Sequence, residues 1–321
     1  MGGQTWVSAW QDALYGDHGF YRSPVGPAGH FTTATHGPTG RVLAEALLRL
    51  AAEHGLTSVV DVGAGRGELL RHLYAAQRVS VGRSPTVALT GVDVVTRPEG
   101  LPEDVRWLRS PGGPRLPDRL TGLTDALVVA HEWLDVVPCT VAEVDDAGTL
   151  RERLVDPATG TESWGSPVRG DELGWAEKHW PTTQPGRRVE IGLTRDLAWR
   201  DLLSRIDRGV ALAIDYGHTA ATRPPLGSLT AYRDGRQVAP VPDGSSDLTA
   251  HVAMDSLVHD ELVDQRTALR RLGIHGETPP LSLARTDPAA YLATLEQASA
   301  AAALAARGGF GDFLWAFSRR G

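Results

Sequence analysis

The stretch Ser58-Val59-Val60-Asp61-Val62-Gly63-Ala64-Gly65-Arg66-Gly67 constrains this chain more than any other. A short apolar strand, Ser58 to Val62, carries an acid near its end and breaks into Gly-x-Gly-x-Gly. A helical pattern follows, with Leu69, Leu70 and Leu73 on one face. Side chains at the glycine positions would collide with a ligand lying on the backbone, so the turn predicts a nucleotide-like ligand at a strand end. A dinucleotide fingerprint requires Gly-x-Gly-x-x-Gly, yet the last position is Glu68 when counted from Gly63 and Leu70 when counted from Gly65. Neither frame fits NAD.

The surrounding pattern is α/β. Leu43, Ala46, Leu47, Leu50 and Ala51 recur at helical spacing between Pro38 and His54, and Gly55 stands where a helix C-cap belongs. After the glycine turn and its helix comes a second strand, Val87 to Val92, completing a βαβ unit that ends at Asp93. Ala126–Ala130 and Val210–Ile214 read as buried parallel strands. In open α/β sheets the C-terminal strand ends line the ligand crevice, which places His131-Glu132 and Asp215-Tyr216 there by topology. The expected organisation is an N-terminal arm with little regular structure (1–37), a Rossmann-like class I domain (38–144 and 188–321), a loop-rich insertion (145–187) and an accessory segment at about 220–290. A helix near Asp264–Leu272, an alanine-rich helix from Pro288 to Arg307 and a last aromatic strand from Phe313 complete it.

This context identifies the ligand that suits the turn. S-adenosyl-L-methionine carries a sulfonium and an amino acid instead of a pyrophosphate. Asp61 is placed to answer its ammonium group and Asp93 its ribose hydroxyls, with Gly63, Ala64, Gly65 and Gly67 forming the close-approach loop. A purely structural turn is the alternative.

Composition removes other chemistries. Lys178 is the only lysine among 32 basic residues, so no Gly-Lys-Ser/Thr phosphate loop exists. With a net charge of -7 and arginines scattered among acids, nucleic acid is not the expected partner. The lone Cys139 points to a reducing compartment, by default the cytoplasm. No export signal or membrane insertion is expected, and no histidine pair has metal-ligand spacing.

Several ordered motifs resemble the DUF185 family, which includes bacterial methyltransferases, the mitochondrial dysfunction protein A of eukaryotic microbes, and the mitochondrial arginine methyltransferase that assists assembly of respiratory complex I. Leu14-Tyr15-Gly16 with Gly19-Phe20-Tyr21 is similar to the family's opening segment. Gly29-His30-Phe31-Thr32-Thr33 resembles its Gly-Asp-Phe-x-Thr-Ser signature, and Asp61 to Gly67 its cofactor loop. His131-Glu132-Trp133-Leu134-Asp135-Val136-Val137-Pro138 is similar to its Asn-Glu-x-x-Asp-Ala-Leu-Pro element, and Ile214-Asp215-Tyr216-Gly217 to its Ile-Asp-Tyr-Gly strand end. Gly227 to Tyr232, Asp247 to Val252 and Asp264-Gln265 resemble later motifs. His30 and His131 depart from the pattern, and the connection between His251 and Gln265 is short.

The resemblance implies methylation of a guanidinium on a protein partner of the respiratory-complex type, with small-molecule methylation or a non-catalytic assembly role as alternatives. A guanidinium must be gripped by a carboxylate, for which Glu132 is the candidate; capping a helix that starts near Trp133 is its competing reading. Asp135 is expected to orient the loop. His131, with an ordinary pKa near neutrality, is the candidate proton acceptor or else a hydrogen-bonded structural residue. Phe31, Thr32 and Thr33 are expected to close over the cofactor. Asp215 and Tyr216 either line the acceptor side or are buried against the sheet.

Overall fold

A computed structural model of the protein describes residues 3–23, 33–79 and 86–321. Its main sheet has seven strands: β1 (Ser58–Val62), β2 (Ala88–Asp93), β3 (Arg106–Arg109), β4 (Leu123–His131), β5 (Ile206–Asp215), β6 (Glu261–Asp264) and β7 (Leu314–Arg320). Their order is β6-β7-β5-β4-β1-β2-β3. Neighbours from β5 to β3 are parallel, while β7 runs antiparallel to both β5 and β6.

Strand alternation explains why the central runs read as continuously apolar. Val210, Leu212 and Ile214 of β5 with Leu127 and Val129 of β4 join one core, against the helices α2 (Gly37–Glu53), α3 (Glu68–Val79), α6 (Gln265–Arg271) and α7 (Pro288–Leu304). Ala211 and Ala213 with Ala126, Val128 and Ala130 face the other way, onto Trp199, Leu202 and Leu203 of α5 (Leu193–Ser204). Small residues on the sheet there leave room for the fully buried Trp199. The chain leaves β1 toward one edge and returns through β4 toward the other, so the crevice opens between the ends of these two strands.

Two expected segments turn out differently. Within the N-terminal arm, Trp6–Tyr15 is a helix, α1, capped by the Thr5 side chain accepting from the Ser8 amide at 3.2 Å. Trp6, Ala9, Trp10, Ala13 and Leu14 fall at helical spacing and are all buried, so packing supplies a reason for order that aromatic and glycine content obscured. Residues 145–187 are not loop-rich. Leu150–Val155 and Glu162–Pro167 pair as strands in a second, five-stranded sheet with Gln4–Thr5, Thr140–Val144 and Arg188–Ile191, and Gly170–His179 is helical (α4). These strands are only half-buried and rich in charge, with Arg153 lying over the Trp164 ring at 4.3 Å, so they lack the apolar runs that mark core strands. Trp175 and Trp180 are buried packing residues.

Between β5 and β6, Thr230–Arg233, Arg236–Val238 and Asp247–Thr249 form a three-stranded sheet. The short connection from His251 to Gln265 still supplies β6, with a single 3-10 turn at Met254–Ser256 before it. No helix of the described residues is long and apolar enough to cross a membrane.

Candidate active site

The crevice at the β1 and β4 ends is lined by most of the residues singled out from sequence: Thr33, Asp61, Gly63, Ala64, Gly65, Asp93, His131, Glu132 and Asp135. Gly67 closes the turn just behind this lining. Phe31 and Thr32, with His30, lie outside the described residues.

Gly63, Gly65 and Gly67 have φ of 77°, 57° and 79°, the left-handed region that glycine enters without strain. The loop they permit uses its own amide groups internally. The amides of Gly63 and Ala64 donate to Val92 O at 2.9 and 3.1 Å, that of Gly65 donates to Asp93 Oδ2 at 2.8 Å, and that of Arg66 to Glu68 Oε2 at 2.9 Å. A phosphate cradle needs such amides free to point at the ligand. Here they are spent, and carboxylates stand where an anion would have to bind.

Asp93 therefore has a second duty: besides the Gly65 amide it accepts from Val95 N at 3.1 Å, tying the glycine loop to the end of β2. Asp93 also lines the crevice. Asp61 is 3% exposed, and burial, reinforced by the nearby Asp93 and Glu68 charges, pushes its carboxyl up to about 8.

Across the crevice, Glu132 sits at φ 50°, a strained conformation for a non-glycine residue, with its amide donating to Ile214 O at 2.9 Å. No helix starts at Trp133; residues 132–138 are an irregular loop, so the helix-cap reading of Glu132 falls away. Burial, with Asp135 next in weight, raises Glu132 to about 8, while a hydrogen bond from the Ala34 amide opposes the shift. That contact brings the N-terminal segment over the site, where Thr33, Thr35 and His36 also line the wall.

Asp135 is held by hydroxyls: Tyr216 Oη donates to its Oδ2, as does Thr249 Oγ1 at 2.8 Å. Asp215 is fully buried and does not line the crevice; its Oδ2 accepts from the Leu134 and Asp135 amides at 3.1 and 3.2 Å, fixing the loop from the neighbouring strand end. Arg195 of α5 does the same from below, donating to the carbonyls of Asp135, Val137, Ala250 and His251. Glu132 Oε1, Asp135 Oδ1 and His131 Nε2 are buried without a hydrogen-bond partner among the described residues. Such atoms are costly unless a ligand meets them.

His131 differs from expectation in one respect. Burial lowers its pKa to about 4, so the ring is neutral from pH 6 to 8 and does not acquire the positive charge anticipated there. Its Nδ1 lies 3.4 Å from Glu132 Oε1.

The family described as "Putative S-adenosyl-L-methionine-dependent methyltransferase" matches residues 39–274, well over half of the chain. The chain belongs to this family. Two crystal structures of COG1565 superfamily proteins from Burkholderia thailandensis are similar to the methyltransferase at 22% identity, each covering 99% of this chain and 88% of the other, with TM-scores of 0.74 and 0.73. The first of them was solved bound to S-adenosyl-homocysteine. At this identity the likeness establishes a shared fold. No curated protein matches the chain.

The methyltransferase's cofactor is S-adenosylmethionine, and the residues present fit it. Of the described residues, six carboxylates line the crevice, Asp61, Glu68, Asp93, Glu132, Asp135 and Asp247, against one arginine, Arg66. An environment so poor in positive charge suits a ligand with a sulfonium and an ammonium and repels a pyrophosphate. Among the described residues no group of three or more His, Cys, Asp or Glu is arranged to hold a metal ion.

Tyr15, Tyr21 and Asp247 complete the wall and were not candidates from sequence. Tyr15 Oη donates to Val136 O at 3.2 Å and Tyr21 Oη to Asp247 Oδ1 at 2.6 Å. The alternation Asp247-Leu248-Thr249, which puts the two polar residues on one face of a strand, was the available signal.

Proposed function

We propose that this methyltransferase transfers the methyl group to a guanidinium nitrogen of an arginine on a protein partner. The observation carrying the reading is the wall around Glu132: buried carboxylates, Glu132 and Asp135, with oxygens unpartnered among the described residues, set among Tyr15, Tyr21 and Tyr216. Acids and aromatic faces together bind a planar cation, the former by charge-assisted hydrogen bonds and the latter by ring contact. Likeness to the mitochondrial arginine methyltransferase makes a respiratory-complex protein the first partner to test. The buried free thiol of Cys139 suits a reducing compartment, the cytoplasm.

When bound, the cofactor supplies an electrophilic methyl on a sulfonium. In this reading Asp61 holds the amino-acid end, Asp93 the ribose, and Gly63, Ala64, Gly65 and Gly67 let the ligand lie on the backbone. Thr33 lines the N-terminal side. Glu132 holds the guanidinium so that one nitrogen lone pair faces the methyl carbon, and Asp135 and His131 position it. One proton leaves the nitrogen during transfer. Glu132, ionised while it faces the cation, is the acceptor for it in this reading, since burial lowers His131 to about 4 and makes it a weak base.

Paired peptides that differ only in carrying arginine or citrulline, its neutral ureido counterpart, test the charge requirement. With methyl-labelled cofactor, incorporation into the arginine peptide is expected to exceed that into the citrulline peptide by about tenfold or more, the worth of one charged hydrogen bond. Equal labelling contradicts the proposal.

A further inference from the structure

Asp247 reaches the crevice from outside the Rossmann core. It lies at the start of the strand Asp247–Thr249, whose register pairs Tyr232 with Asp247 and Thr230 with Thr249. On the opposite face of this strand Leu248 is fully buried, and its carbonyl accepts from the indole of Trp10 in α1 at 3.1 Å. The alternation therefore fixes Asp247 and Thr249 toward the crevice, where Thr249 already serves Asp135. Asp247 is itself 5% exposed and has the phenol of Tyr21 on Oδ1 at 2.6 Å.

The wall is thus built as two hydroxyl-supported acids, Asp247 with Tyr21 and Asp135 with Tyr216 and Thr249, beside Glu132. Neutral hydroxyls orient these carboxylates without cancelling their charge. In ligand-free protein the acids oppose one another: Asp247 raises Glu132, Asp135 raises Asp247, and burial lifts Asp247 to about 8. The second sign of a ligand is geometric: Asp135, 2% exposed, keeps Oδ1 in the same wall without any partner among the described residues.

We infer that Asp247, oriented by Tyr21, is a specificity-determining residue that selects a cationic acceptor by facing it from the side opposite the cofactor loop. This rests on the proposed cationic acceptor, and it adds a residue carried by the accessory sheet and locked by the N-terminal segment. Folding of those two outer segments onto the core is what assembles the acceptor half of the site.

Ethylguanidinium and its neutral isostere ethylurea serve as probes, titrated into the full-length protein saturated with S-adenosyl-homocysteine and followed by ligand-observed NMR. Asp247→Asn keeps an oxygen for the Tyr21 phenol and removes only the charge. The expected result is that wild type binds ethylguanidinium more tightly than ethylurea. Asp247→Asn should lose about tenfold of the guanidinium affinity with urea binding and S-adenosyl-homocysteine affinity unchanged. Tyr21→Phe should weaken guanidinium binding less, since it misorients the carboxylate without deleting it. If Asp247→Asn keeps full guanidinium preference while Glu132→Gln loses it, the role of Asp247 is overturned and the cationic-acceptor reading stands. If wild type shows no preference, both fall.

Discussion

Replacing Glu132 by glutamine is expected to lower turnover by about 100-fold or more, the usual cost of removing one preorganised electrostatic group from a closed site. Affinity for S-adenosyl-homocysteine and melting temperature should change little. Glutamine has the same shape, keeps a carbonyl oxygen for the Ala34 amide and tolerates the φ 50° backbone no worse than glutamate. Stability should be spared because burial already holds this carboxyl mostly protonated at neutral pH in the ligand-free protein, at about 8. Only when a cation arrives does the charge matter. Steady-state rates with thermal melts separate the outcomes: an unchanged rate would make Glu132 a bystander, and parallel loss of rate and melting temperature would make it structural.

Stability of the ligand-free protein is expected to fall as pH rises from about 6.5 to 8, above the range in which the buried neutral His131 and His218 add stability with rising pH, and the cofactor should reverse much of that fall. Asp61, Glu132 and Asp247 are raised to about 8 and Asp93 to about 6. Each binds its proton more tightly folded than unfolded, so its stabilising contribution is complete below the unfolded value near 4 and is lost as pH climbs through the folded one. The same linkage governs binding. The cofactor's ammonium favours ionised Asp61, so affinity should rise with pH between about 6 and 7.5, by up to about tenfold per unit, with proton release. Calorimetry in buffers of different ionisation heat reads the released proton, and Asp61→Asn should flatten the profile. Wild-type affinity independent of pH, with no proton exchanged, would remove Asp61 from the cofactor's ammonium.

The core of the fold was legible because buried parallel strands announce themselves as unbroken apolar runs. Ser58–Val62 coincides with its predicted bounds, and the runs at Ala126–Ala130 and Val210–Ile214 lie inside longer strands. The glycine turn was legible because glycines at fixed spacing beside Asp61 and Asp93 need only one βαβ unit to meet, and Asp93 then reaches the Gly65 amide. The wall proposed here for the acceptor is assembled from distant segments. Tyr21 and Asp247 are 226 residues apart, and Tyr216 and Asp135 are 81 apart. No local spacing encodes those contacts. The helix Trp6–Tyr15 and the strands between 145 and 187 were hidden for another reason: their packing partners are outer elements, so their patterns are aromatic or charged instead of plainly apolar. His131 shows a third kind of gap, since its position at the end of β4 was predicted but its burial, and with it the loss of titration near neutrality, depends on neighbours such as Phe313, with ring centroids 6.0 Å apart.

The central claim is that the acid-lined crevice delivers a methyl group to a guanidinium. Incubating the pure protein with methyl-labelled S-adenosylmethionine and host proteins, hydrolysing the labelled species and identifying the modified residue measures this directly, with Glu132→Gln as the control. The account predicts label recovered as N-methylated arginine and absent from the control. Label recovered on an oxygen, a carbon or a neutral small molecule would contradict it.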